Sequence, residues 1–290
     1  MQTRANVLLL TTAAIWGLAF VAQRVGMDFI GPFTFNGIRF ALGSFSLLPL
    51  IWFFHRYPQG ATSQTNTLPA TRMGMLAGLI LFIAASLQQI GIVYTTAGKA
   101  AFITCLYIVL VPLAGLWLRH RISFHTWAGC LLALVGLYFL CVKEDFSIAF
   151  GDMLELAGAL FWTAHILLID HISRKVDSLK LAAIQFATCA ALSLAVALAI
   201  ETFSLESILQ AGVPILYGGI GSVGIAYTLQ IIGQKNASPA HAALILSMET
   251  VFAAIGGFLL LGEILGAREL TGAGLMLAGM LLSQRSQLRY

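Results

Sequence analysis

Ten apolar runs separated by short polar turns leave this chain few ways to fold. They cover residues 6–24, 32–54, 71–92, 98–118, 123–142, 151–170, 178–200, 212–234, 239–261 and 267–284. Each is close to the ~20 apolar residues an α-helix needs to cross a bilayer. In lipid the backbone N–H and C=O groups must pair within the segment, so runs of this length predict helices. The expected fold class is an all-α polytopic membrane protein with ten transmembrane helices. Composition agrees, because only 10% of the 290 residues are charged and 59% are hydrophobic. Soluble domains carry about 25% charged residues. The longest linker, Arg56 to Thr71, is polar and reads as an exposed loop. GPF at 31–33, AGK at 97–99 and ASPA at 237–240 read as tight turns.

Several function classes are excluded early. A net charge of +4, scattered along the chain, does not make a nucleic-acid surface. Gly98-Lys99 is followed by Ala100 and lacks a glycine at Val93, so there is no phosphate-binding loop and no ATP drive within the chain. Cys105, Cys130, Cys141 and Cys189 lie in or beside apolar runs without a CxxC pair, which predicts packing residues rather than metal ligands or disulfides. No cofactor is expected. The N-terminus has Arg4 and then an apolar run, but no A-x-A cleavage signal, so it reads as a retained first helix. If the N-terminus is cytoplasmic, that side collects eleven of the 16 Lys and Arg residues, among them Arg4, Arg72, Arg119, Arg121, Arg174 and Lys235. The opposite side receives Arg24, Lys99, Lys143 and Arg268, with Arg39 inside a span. The positive-inside rule then predicts both termini in the cytoplasm, in an inner or plasma membrane.

The two halves of the chain match each other. Leu10, Ala13, Trp16, Ile38, Phe40 and Ala41 fall on Leu156, Ala159, Trp162, Ile184, Phe186 and Ala187, 146 residues on. Leu87, Gln88, Gly91, Ala100 and Ala101 fall on Leu229, Gln230, Gly233, Ala242 and Ala243 at a shift of 142. Gly129, Leu134 and Gly136 fall on Gly272, Leu277 and Gly279 at 143. These shifts predict two five-helix repeats, residues 1–142 and 146–288. Five is odd, so the second copy enters the membrane from the other side. Inverted repeats of this kind recur in secondary transporters, whose sites lie near mid-membrane between the halves.

Against that frame, polar residues inside the spans become candidates for binding a solute or coupling its movement. Glu249 lies near the middle of the ninth span, where a charge costs about 2.5 kcal/mol or more unless it faces a cavity or partner. It can bind a solute amine or carry a proton, or be a structural glutamate bonded to a facing helix. Arg39, about two turns into the second span, can bind a carboxylate or form a structural ion pair. Trp16 and Trp162 occupy matching positions of the repeats away from the interfacial belt, as cavity walls or packing. Gln88, Gln185 and Gln230 are neutral donors and acceptors that suit a polar cavity or hydrogen bonds between helices. His165 is read as a proton relay or solute contact against a satisfied core histidine, and Tyr107 and Tyr227 follow the same logic. Gly218, Gly219, Gly221 and Gly224 crowd the eighth span and predict close helix packing or sliding surfaces.

Residues 98–140 and 229–282 resemble the ends of the two EamA-type domains of the drug/metabolite transporter superfamily. AAIWGLAFVAQRVG at 13–26 and GIRFALG at 37–43 resemble its first two helices. The resemblance covers nearly the whole chain. It implies a ten-helix carrier of small organic metabolites or drugs, often an exporter, and is silent on which solute. Two positions depart from the family pattern. Its Glu-Pro in the ninth helix is Glu249-Thr250 here, and Arg119-His120-Arg121 stands where many members have Gly-Glu or Arg-Glu. The expectation is a secondary transporter working by alternating access in a lipid bilayer, with protons as the candidate coupling ion. The rivals are a passive facilitator, an intramembrane enzyme acting on lipid-linked substrates, and a scaffold or sensor. The absence of HExxH, GxSxG or a paired-Asp motif favours the non-enzymatic readings.

Overall fold

Helix ends in this chain are set by local capping chemistry, and helix interiors by uninterrupted apolar sequence. The structure is a computed structural model that describes residues 2–56, 70–117, 124–141, 148–173 and 175–284. Among them every regular element is helical. In order these are α1 (Gln2–Gly26), α2 (Pro32–Arg56), α3 (Ala70–Gly91), α4 (Ala97–Thr104), α5 (Tyr107–Trp117), α6 (Phe124–Cys141), α7 (Phe150–Ser173) and α8 (Ser178–Ile200). There follow α9 (Leu205–Gln210), α10 (Gly212–Leu216), a π-helical segment (Tyr217–Tyr227), α11 (Thr228–Gln234), α12 (Pro239–Leu246), α13 (Glu249–Leu261) and α14 (Ala267–Gln284). Most of the 56–71 loop, Arg119-His120-Arg121, Lys143, Arg174, Arg285 and Arg289 lie outside the described residues.

Among the described residues eight stretches are long and apolar enough to cross a membrane by length and composition. They are Thr3–Gly26, Pro32–Phe53, Thr71–Gly91, Ala97–Gly115, Phe150–Ser173, Ser178–Ile200, Gly212–Gln234 and His241–Leu261. The runs at 123–142 and 267–284 form α6 and α14, 18 residues each, packed along one another. Their backbones touch. A side chain on Gly136 would overlap the Gly272 carbonyl oxygen, and one on Gly279 would overlap that of Gly129.

Thr96 caps α4, its Oγ1 accepting from Lys99 N at 3.2 Å, so Ala97-Gly98-Lys99 is the first turn of a helix rather than a turn between helices. Ser238 caps α12 ahead of Pro239, and Asp177 caps α8. Two other helix starts are sealed by acids from far along the chain. Glu201, just after α8, accepts from Phe33 N at 2.8 Å and from Thr34 N and Oγ1 at 2.7 Å. Glu263, just after α13, accepts from Ala97 N at 2.8 Å and Gly98 N at 3.1 Å. A carboxylate there satisfies unpaired N–H groups and complements the helix dipole. These clamps lie at the end of the bundle opposite Gln2, its distal end.

Three of the expected continuous spans are interrupted. In the fourth, Leu106 N bonds to Ile103 O and Ile108 N to Cys105 O, so the ladder tightens to i→i−3 at Cys105-Leu106. In the ninth, Met248 N bonds to Ile245 O and Thr250 N to Ser247 O in the same pattern. No proline is involved. At Ser247-Met248 the hydroxyls of Ser247 and Thr250 occupy the Leu244 and Ser247 carbonyls, at 2.6 and 2.8 Å. The eighth span contains the π-helical segment, whose glycines admit α2. A side chain on Gly219 would overlap Leu42, and one on Gly224 would overlap Ser46. Cys105, Cys130 and Cys189 are buried free thiols.

Candidate functional site

The interruptions converge on a small central cavity. Its polar and aromatic lining comes from α1 (Trp16, Gln23), α2 (Arg39), α3 (Gln88), the α4–α5 break (Thr104, Tyr107), α7 (Trp162), the π-helical segment and α11 (Ser222, Tyr227, Gln230), and α13 (Glu249). Ala19, Phe20 and Ile166 complete the wall.

Glu249 is the first residue of α13, immediately after the Ser247-Met248 break, and only 3% exposed. Its Oε1 accepts from Tyr107 Oη at 3.0 Å and from Cys105 Sγ at 3.3 Å. Tyr107 and Cys105 sit at the other break, and Cys105 Sγ also reaches Ser247 O at 3.6 Å. The two interruptions therefore touch each other beside the carboxylate. Arg39 is 2% exposed. Its Nε donates to Asn36 Oδ1 at 3.0 Å, and its guanidinium lies 5.0 Å from the Phe40 ring centroid and 5.5 Å from that of Phe35. Asn36 is fixed in turn by donating to Ala85 O. Among the described residues Arg39 forms no ion pair, with Glu249 or any other acid.

Aromatic rings gather around Tyr227. Trp16 meets it edge-on at 4.5 Å and Trp162 stacks at 6.2 Å, while Phe40 and Phe186 pack behind. Trp16 Nε1 donates to Ser222 O at 3.3 Å. Trp162 Nε1 and Gln230 Oε1 are buried without a hydrogen-bond partner. Towards the distal end, Gln88 Nε2 donates to Gln23 Oε1 at 3.1 Å and Gln89 Nε2 to Gln23 O at 3.3 Å.

Glu249, Arg39, Trp16, Trp162, Gln88, Gln230 and Tyr107 thus line one cavity. His165 and Gln185 do not. They are fully buried behind it, bonded to each other at 3.1 Å, with the His165 ring edge-on to Trp162 and Tyr227. The sequence reading passed over Gln23, Thr104 and Ser222. Gln23 has a visible signal, an amide on the same side of α1 as Trp16, seven residues apart. Among the described residues no group of three or more His, Cys, Asp or Glu side chains is placed to hold a metal ion.

Comparison with known proteins bears on this arrangement. The model of the EamA-like transporter family matches residues 3–142 and again residues 149–284. An uncharacterized transporter of Archaeoglobus fulgidus is 33% identical over 282 residues, covering 96% of this chain and 85% of that protein. The uncharacterized transporter YoaV of Bacillus subtilis is 25% identical, covering 95% and 94% respectively. A solved crystal structure superposes with a TM-score of 0.75 at 18% identity, covering 100% of this chain and 99% of that one, which speaks for the fold alone. The chain, an integral membrane protein, belongs to the EamA-like transporter family.

Proposed function

We propose that this protein is a secondary transporter that moves small organic metabolites or drugs by alternating access around the central cavity. The observation that carries the reading is the meeting of two interrupted helices at Glu249. Interrupted helices around a mid-membrane polar site are a recurrent construction of secondary transporters. Family membership supports transport rather than catalysis. In this reading the chain has ten transmembrane helices in two inverted five-helix repeats, residues 1–142 and 146–288. The matching interruptions at Cys105-Leu106 and Ser247-Met248, the reciprocal glycine contacts of α6 and α14, and the double match to the family model support that division. Both termini face the cytoplasm of a cell-membrane protein, and the distal end faces outward.

Glu249 binds solute or carries the coupling proton, Arg39 receives an anionic group, and Trp16, Trp162, Tyr107, Gln88 and Gln230 contact the solute. His165 and Gln185 hold Trp162 and Tyr227 in place from behind. Transport runs as export driven by a gradient rather than by ATP.

The test is solute flux in proteoliposomes with and without an imposed pH gradient, for native protein and Glu249→Gln. Gradient-driven flux lost in the variant supports the reading. Flux of native protein that ignores the gradient identifies a passive facilitator, and unchanged gradient-driven flux in Glu249→Gln removes that residue from the mechanism.

A further inference from the structure

Glu249 is not the only carboxyl group enclosed by the helices. Glu155, in the second turn of α7, is 0% exposed. Its Oε2 accepts from Thr104 Oγ1 at 2.9 Å, while its Oε1 has no hydrogen-bond partner at all. That oxygen is pressed against the end of α3, where a Cβ on Gly91 would lie 2.9 Å from it. An ionised carboxylate is an acceptor on both oxygens and, once buried, needs a cation or several donors. Glu155 has one hydroxyl.

The neighbouring charges are committed elsewhere. One turn back on α7, Asp152 is 0% exposed, ion-paired with Lys99 Nζ at 2.7 Å and bonded by Thr95 Oγ1 at 3.1 Å. Lys99, from the first turn of α4, is 13% exposed, so this pair lies close to distal solvent. From α3 the residues beside Gly91 are the neutral amides Gln88 and Gln89, and the preceding turn contributes Tyr94 and Thr95. From α4 the facing group is Thr104, which also lines the central cavity with Glu249 and Tyr107. One hydroxyl thus separates Glu155 from the cavity.

We propose that Glu155 is a second proton-binding carboxyl of this transporter, loaded from the distal end beside the Lys99–Asp152 pair and linked to the central cavity through the Thr104 hydroxyl. One proton from distal water neutralises the carboxylate, and the same proton returns to water when the group ionises in the opposite conformation. The Thr104 hydroxyl reports the charge of Glu155 to the cavity, because its hydrogen bond strengthens when the acceptor is ionised. The proposal deepens the reading that the cavity is coupled to protons, and it is testable without the solute.

The experiment is infrared difference spectroscopy of the full chain in lipid nanodiscs, titrated between about pH 5 and about pH 9, the range that brackets perturbed carboxyl groups. Native protein is expected to show a carboxylic-acid carbonyl band that titrates, is lost in Glu155→Gln and persists in Glu249→Gln. Thr104→Val, which keeps both carboxyl groups, is expected to shift the frequency of that band. A spectrum unchanged in Glu155→Gln means the group is always ionised and overturns the proposal. A band that belongs to Glu155 but does not titrate overturns it equally, leaving a structural acid. A band indifferent to Thr104→Val overturns the link to the cavity. Proton coupling of transport is read separately from flux, so its failure leaves the titration standing and is told apart from the failure of this site.

Discussion

Tyr107 and Cys105 hold Glu249 with a phenol and a thiol, and among the described residues no cation pairs with it. Removing the phenol leaves the weaker thiol. Tyr107→Phe is therefore expected to destabilise the protein by about 1 kcal/mol and to change the pH dependence of flux, measured by thermal unfolding and by liposome exchange. Arg39 is the complementary case, a buried cation with no ion-pair partner among the described residues. A buried charge without a paired anion is costly to keep out of water, and an apolar side chain of similar length removes that cost. Arg39→Met is accordingly expected to unfold at higher temperature than native protein while losing flux. A lower unfolding temperature means the arginine is a structural element after all. Residue identity alone marked Glu249, Arg39 and the two tryptophans, because each is costly or oversized inside an apolar run. It did not mark Thr104 or Ser222, since hydroxyl residues are ordinary within membrane helices. Nor did it separate His165 and Gln185 from the cavity. Their mutual bond joins α7 to α8 across 20 residues of sequence, and no local pattern records it.

Elements add what single residues do not show. The eight long apolar spans were legible because bilayer thickness dictates their length. The interruptions in the fourth and ninth runs were not legible, since Cys105-Leu106 and Ser247-Met248 contain neither glycine nor proline; at Ser247-Met248 hydroxyl and thiol groups compete for the Leu244 and Ser247 carbonyls. The π-helical segment was visible only as a crowd of glycines. Packing at those glycines is tight enough to test. Gly279→Val is expected to force α6 and α14 apart, at a cost of about 1–3 kcal/mol from overpacking, seen as a lower unfolding temperature of purified protein. Glu201 and Glu263 belong to the same scale. Each holds the start of a helix by two backbone N–H groups, interactions worth about 0.3–2 kcal/mol apiece with the helix dipole. Glu201→Gln combined with Glu263→Gln is expected to raise the labelling rate of a cysteine placed at the distal end severalfold. An unchanged rate means the clamps do not restrain opening.

For the whole molecule the first question is which way round it sits. With the four native cysteines replaced by serine, a membrane-impermeant maleimide in intact cells is expected to label Glu206→Cys, exposed beyond α8 at the distal end, and to spare Arg72→Cys, exposed at the start of α3. The reverse pattern inverts the orientation that the positive charges predict. The acid clamps carry one more consequence, for the separability of the two halves. Both acids come from the later half of the chain, and both helix starts they cover, α2 and α4, come from the earlier half. The later half covers its own corresponding starts, with Asp177 on α8 and Ser238 on α12. Produced as two polypeptides divided between Cys141 and Ile148, the halves are therefore unequal. The later one emerges with α8 and α12 capped from within, whereas the earlier one caps α4 from within through Thr96 but must find its companion before α2 is fully bonded. Dependence for survival in the cell runs one way, and a pulse-chase of each half with and without the other would display it.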